Sequence, residues 1–233
     1  MVPAVNVRFT PQSRPISGLA LRSVFDPKRT RALLLKRWFE YSLWSLSSIG
    51  TQRGFVMALT IKQRGVLGGV SIAATITVLA MSGGIWLSPG VLTPVDDLEN
   101  RLAFVFSWDL LVVFWLLATI GALGNRRFLS PEDIDGSGLT TGTAEAKVLQ
   151  SVLQNTLEQV VLTVIAHVAC AVLLPIEWMA ALPVAAILFA LGRLLFWRSY
   201  HRGAPARALG FGLTFYPTVL LFALLIAQMF LAN

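Results

Sequence analysis

Five apolar stretches, each close to the length that crosses a lipid bilayer, constrain this chain more than anything else in it. They run about Gly65–Leu87, Leu102–Gly124, Ala146–Leu174, Ile176–Tyr200 and Ala208–Leu231. A helix needs roughly 20 apolar residues to cross the hydrocarbon core. In lipid every backbone N–H and C=O must be satisfied internally, so long uninterrupted runs become helices. Hydrophobic residues make up 55% of the chain and charged ones 13%, against about 25% charged in soluble domains. The expectation is an all-α integral membrane protein. Its breaks fall at Ser88-Pro89-Gly90 and at Pro175, which lacks the N–H that a helix needs. Pro217 predicts a kink inside the last span.

Charge placement orients these spans. Of the 19 Lys and Arg, 11 lie at or before Arg64. The Ser88–Arg101 loop has Arg101 against Asp96, Asp97 and Glu99. Basic residues return at Arg126, Arg127 and Lys147, vanish at the Pro175 turn, and return again at Arg193, Arg198, Arg202 and Arg207. Cytoplasmic loops carry the excess of Lys and Arg, so the expectation is a bacterial inner-membrane protein, N-terminus cytoplasmic and C-terminus outside. The net charge of +7 then marks a membrane face. Nucleic-acid binding is not expected, because no basic groove interleaved with stacking aromatics is present.

Three regions follow. Residues 1–56 are basic and rich in proline at first; Arg31, Lys36, Arg37 and Glu40 then interleave with Leu33, Leu34, Trp38 and Phe39, the pattern of an interfacial amphipathic helix. No small-residue cleavage site follows an apolar core, so the segment does not read as a signal peptide. Met57-Ala-Leu-Thr-Ile-Lys reads as an alternative start of translation. Residues 57–101 hold an extra first span and its outer loop, and 102–233 hold four further spans. Cys170 stands alone, which rules out an intrachain disulfide, and no Cys/His spacing predicts a metal site.

The polar turn Gln154-Asn155-Thr156-Leu157-Glu158 runs directly into the third span. Asn155 and Glu158, three apart, fall on one side of a helix, and a carboxylate in lipid faces the bundle interior or a water-filled cavity. The orientation places this mouth at the cytoplasmic face, beside Arg126-Arg127 and the Arg193–Arg207 segment. Arg193 and Tyr200 are seven apart and share a face. Guanidinium groups supply paired donors for carboxylates, and an Arg or Tyr can stabilise a thiolate or donate a proton. Such a cleft suits a water-soluble anion meeting an apolar molecule from the bilayer. Glu158 is also a candidate partner for Arg193, and Asn155 with Glu158 a candidate interhelical clamp. Asp109, inside the second span, reads as a group bonded across the bundle, and alternatively as an ion pathway. His167 reads as a core group. Gly68-Gly69 and Gly83-Gly84 give the first span a small-residue packing face. The Gly- and Thr-rich stretch 135–143 reads as a flexible loop.

In chain order, Phe128-Leu129-Ser130-Pro131-Glu132-Asp133, Asn155-x-x-Glu158, Gly192-Arg193 with Tyr200, and Ala204-Pro205-Ala206-Arg207 resemble the MAPEG family, membrane-associated proteins in eicosanoid and glutathione metabolism. The resemblance covers roughly Leu102–Leu231. It implies a four-helix up-down bundle plus one added N-terminal span, assembled as a homotrimer, with glutathione bound between neighbouring subunits near the cytoplasmic face. On that reading Arg207 and Tyr200 are catalytic, and Asn155, Glu158, Arg193, Arg126 and Arg127 hold the cofactor. The implied activity is a glutathione-dependent transferase or peroxidase acting on lipophilic electrophiles. Val148 and Ser151 stand where many catalytic members carry arginines, Leu153 where a His or Gln is common, and Phe211 where some have Tyr. These departures motivate a second reading, a non-catalytic structural or interaction protein. Asp109 and Glu158 motivate a third, a small ion-coupled transporter.

Overall fold

A computed structural model describes residues 59–87 and 92–231. The basic N-terminal segment, with its interfacial helix and alternative start, lies outside the described residues, as does the Ser88-Pro89-Gly90 break. The described part consists of five long helices: α1 (Ile61–Leu87), α2 (Leu98–Leu129), α3 (Ala144–Leu173), α4 (Ala181–Ser199) and α5 (Ala204–Leu231). Short 3₁₀ turns at Ile176–Ala180 and Tyr200–Arg202 lead into α4 and α5. All five spans are long and apolar enough to cross a bilayer.

The helices outrun the apolar stretches because polar residues cap them. Asp97 precedes α2 and accepts from the Asn100 backbone N–H at 2.9 Å and from its side-chain amide at 2.6 Å. That N-cap satisfies otherwise orphaned donors and holds the Asp97 carboxyl below the usual carboxylate range. The far end of α2 takes in Arg126 and Arg127, cations placed where the helix dipole favours them. Thr143 caps α3 by accepting from the Ala146 N–H at 3.3 Å. Arg101 closes the other end of α3, donating to the carbonyls of Ala171 (3.1 Å) and Leu174 (2.9 Å) while pairing with Asp96 at 2.7 Å. The last carbonyls of a helix have no partner within it, so this one side chain ties the start of α2 to the end of α3.

The 130–143 connection is held, where the sequence predicted a flexible loop. Buried Asp133 accepts from the Thr143 backbone N–H and hydroxyl, both at 2.7 Å, and pairs with Arg126 at 3.3 Å. The backbone N–H of Thr143 is the largest cause of a carboxyl held down at about 2. Gly136 and Gly142 supply the positive φ angles that the turns require.

Helices α2 to α5 form a bundle in which α2 packs on α3 and α4, and α5 on α3 and α4; α1 lies alongside, against α5 and α4. The core joins Val105 of α2, Ala166 and Cys170 of α3, Leu182 and Ala185 of α4, Leu213 and Leu221 of α5, and Ala73 and Met81 of α1. The opposite faces carry exposed Phe106, Leu110, Phe114 and Leu117 on α2 and Leu157, Val161 and Ile165 on α3, an apolar exterior suited to lipid or to another apolar helix.

Candidate functional site

Arg193 on α4 is 2% exposed, among the largest fully buried side chains of the bundle. It reaches the α3–α5 seam because glycines let α4 and α5 approach closely. A Cβ on Gly192 would lie 2.7 Å from the Thr214 methyl and 2.8 Å from the Gly210 carbonyl oxygen. The guanidinium donates to Asn155 Oδ1 at 2.9 Å, Thr214 Oγ1 at 2.5 Å and, at the limit of range, Thr156 Oγ1 at 3.5 Å. It also lies over the rings of Phe196 (4.6 Å) and Phe189 (5.6 Å), whose π-faces attract a cation.

The expected pairing of Arg193 with Glu158 is not formed. Glu158 is exposed and accepts from Gln154 at 3.0 Å. Positions three apart are offset by roughly 60° around a helix. That rotation turns Asn155 toward α4 and Glu158 outward. Among the described residues no carboxylate forms an ion pair with Arg193.

From Arg193 an aromatic ladder leads to the end of the bundle. The Phe196 ring meets Tyr200 edge-on at 5.4 Å, and the Arg207 guanidinium lies 4.4 Å from the Tyr200 ring centre. Gly203, at φ +91°, makes the reversal between Tyr200 and α5. Asn155, Phe196, Tyr200, Arg207 and Phe211 line a cavity of about 350 Å³, together with Val66 and Val70 of α1. Arg207 is half-buried there, and among the described residues no carboxylate pairs with it. The cavity thus offers a guanidinium, a phenol and an amide among otherwise apolar side chains.

The seven predicted site residues divide. Asn155, Tyr200 and Arg207 share this cavity, and Arg193 stands behind it, bonded to Asn155. Arg127 donates to Gln150 at 3.0 Å and lines a separate cavity of about 220 Å³ with Lys147, Thr140 and Ser151. Arg126 is engaged by Asp133 (3.3 Å) and Glu145 (3.6 Å). Glu158 lies on the outer side of α3. The sequence reading missed Phe196 and Thr214. Phe196 could have been found, since it falls three after Arg193 and four before Tyr200, on their shared face.

Deeper in the bundle, His167 Nδ1 lies 2.6 Å from Asp109 Oδ1 with both side chains buried. This agrees with reading His167 as a core group and Asp109 as bonded across the bundle. Among the described residues, the Oδ2 of Asp109 and the Nε2 of His167 have no hydrogen-bond partner. Among the described residues no cluster of His, Cys, Asp or Glu could hold a metal ion.

Five bilayer-length helices around a buried polar seam define an integral membrane protein with a cation-bearing cavity at one end. Residues 102–227, more than half of the chain, match the model of the MAPEG family, and the chain belongs to that family. The match begins inside α2, so α1 precedes it. No curated protein and no solved structure matches the chain.

Proposed function

We propose that this protein is a membrane transferase or peroxidase that uses a thiol cofactor, glutathione, against lipophilic electrophiles, with the Arg207 cavity as its reaction site. The observation that carries this reading is the Arg207 guanidinium, held over Tyr200 in a cavity and, among the described residues, without a carboxylate partner. Glutathione, when bound, supplies the thiol that acts as nucleophile or reductant. A guanidinium beside a thiol favours the thiolate, and the Tyr200 hydroxyl is placed to donate or hold a proton.

The residues of one protomer fit the thiol end of glutathione better than its two carboxylates. Arg126 and Arg127, the cations that could hold carboxylates, are engaged in and beside the 130–143 connection, and Asn155 Oδ1, which could accept from the ligand's amine, already accepts from Arg193. A complete site therefore calls for cations from a neighbouring copy, in line with a homotrimer. The outward face of α3, with Glu158 beside exposed Leu157, Val161 and Ile165, is the surface we assign to that contact. The basic ends of the spans support an orientation with this cavity at the cytoplasmic face.

Isothermal titration of glutathione into the full chain in lipid nanodiscs, with Arg207→Ala and Glu158→Gln alongside, tests the proposal. Micromolar to low-millimolar binding that Arg207→Ala removes, with conjugation of an aryl halide that follows it, is the expected result. No heat at saturating glutathione and no conjugation would sink it. A second reading, a non-catalytic family member, is favoured by the capture of Asn155 in the Arg193 network and by Val148 and Ser151 on the same helix. It predicts a silent protein in which Val148→Arg with Ser151→Arg creates glutathione binding; a doubly substituted protein as silent as its parent would count against it.

A further inference from the structure

Helix α1 lies outside the segment that matches the family, yet it builds part of the cavity. It runs parallel to α5 at close range: a Cβ on Gly65 would lie 2.9 Å from Pro205 Cβ, and one on Gly69 would lie 2.9 Å from Ala208 Cβ and 3.1 Å from the Leu209 backbone nitrogen. One turn further, the relation reverses, and a Cβ on Gly212 of α5 would lie 2.5 Å from Ala73 of α1. Small residues every fourth position let membrane helices meet this closely. The apposition brings Val66 and Val70, which are half-buried and one turn apart, into the lining of the cavity together with Phe196, Phe211, Arg207 and Tyr200.

We propose that α1 is the specificity wall of the Arg207 cavity: Val66 and Val70 set how long an apolar tail can be on an amphipathic anion whose head sits at Arg207 and Tyr200. This rests on the reading that the Arg207 cavity is the ligand site, but not on glutathione being the ligand. At about 350 Å³ the cavity is at the small end of ligand sites, which run roughly 300–1,000 Å³. A head group plus a short tail fills it. Because Gly65, Gly69 and Gly212 leave no room for a Cβ between α1 and α5, the two helices are closely packed and the wall cannot recede without separating them.

The test uses the full chain in lipid nanodiscs and linear alkyl sulfonates from butyl to decyl, titrated isothermally with empty nanodiscs subtracted. In the unmodified chain affinity should rise about fourfold per added methylene, the factor set by burying one CH₂, and then level off where the tail meets α1. Val70→Ala and Val66→Ala should move that plateau to longer tails, and Val70→Trp to shorter ones. The alanine variants carry the test alone if the tryptophan variant does not fold. A plateau unmoved by either alanine variant, with binding still abolished by Arg207→Ala, overturns the role of α1 and leaves the cavity as the ligand site. Binding indifferent to Arg207→Ala, or no binding by any sulfonate, overturns the site and the wall together.

Discussion

His167 of α3 and Asp109 of α2 lie 2.6 Å apart in the interior of the bundle, each almost wholly shielded from its surroundings. The pair links two helices that already pack along their length. Each partner keeps the other's polar atom from standing alone in an apolar core, where an unsatisfied group costs roughly 1–3 kcal/mol. Asp109→Ala or His167→Ala alone should therefore destabilise the protein by about that amount. Replacing both by leucine should recover part of the loss, because neither polar group is then left behind. Reversible unfolding in mixed micelles measures all four proteins; single losses that simply add in the double variant would show the pair to be uncoupled.

Arg193 makes a different demand, since its partners are an amide, hydroxyls and rings. Lysine keeps the charge but lacks the planar fork and the stacking surface. Arg193→Lys should lower stability by roughly 1–3 kcal/mol, and Asn155→Ala by less, since Thr214 still holds the guanidinium. If Arg193→Lys unfolds at the same denaturant concentration as the parent, the network is decorative.

The glycine crossing that seats Arg193 should resist even the smallest side chain. A Cβ on Gly210 would run into the backbone nitrogen of Phe196. Backbone cannot swing aside as a side-chain tip can, so Gly210→Ala should cost about 1–3 kcal/mol by overpacking. Ligand binding at the Arg207 cavity should weaken with it, because Phe196 and Tyr200 follow on the displaced helix. Unchanged thermal unfolding of this variant would contradict the close approach.

Arg207 and Tyr200 can be separated by experiment. Tyr200→Phe preserves the ring beneath the guanidinium and removes the hydroxyl. On the proposed reading it should leave ligand affinity nearly intact and lower turnover, whereas Arg207→Ala should abolish detectable binding and lower kcat/KM by roughly 10²-fold or more, the scale for losing one donor to a developing anion. Equal effects of the two variants on KM and kcat would mean that the phenol and the guanidinium have no distinct roles.

Asp133 gives the connection between α2 and α3 a defined acid sensitivity. Its carboxyl is held at about 2 in the folded protein, against an ordinary value of 3.8, chiefly by the Thr143 backbone N–H. The folded state thus favours the charged form. The stabilisation is complete above about pH 4 and disappears as the pH falls through about 2. Between those limits the parent should lose thermal stability more steeply than Asp133→Asn. Parallel curves for the two would sever the link between this carboxylate and the fold.

Much of the architecture was legible because hydropathy and chain punctuation report directly on helices in lipid. Pro175 and the apolar run lengths located the spans, and the ordered polar motifs pointed to the family. The site was only partly legible. Asn155, Tyr200 and Arg207 do line one cavity, but Glu158 turns out of the bundle by a helical rotation that spacing alone renders as a shared face. The partners of Arg193 were hidden for another reason: threonine and phenylalanine are ordinary residues of apolar helices, and only the α4–α5 glycine crossing brings Thr214 to a cation. The Asp133–Thr143 clamp spans ten residues of loop with no periodicity to betray it. The contribution of α1 to the cavity depends on which side of the bundle the extra helix chooses, and its small residues mark a close contact without naming the partner.

The uncompensated guanidinium of Arg193 also bears on how the chain is made. Asn155 belongs to a helix synthesised before α4, while Thr214 emerges only with α5. Until α5 arrives, α4 presents the membrane-insertion machinery with a charge that costs roughly 2.5–3.5 kcal/mol at a bilayer centre. Six residues from the end of α4, the long side chain can reach the headgroup region in the meantime. The Thr214 bond can form only once α5 is in place, so the polar seam is not complete before the final helix. A chain truncated before α5 should leave α4 accessible to water at Arg193.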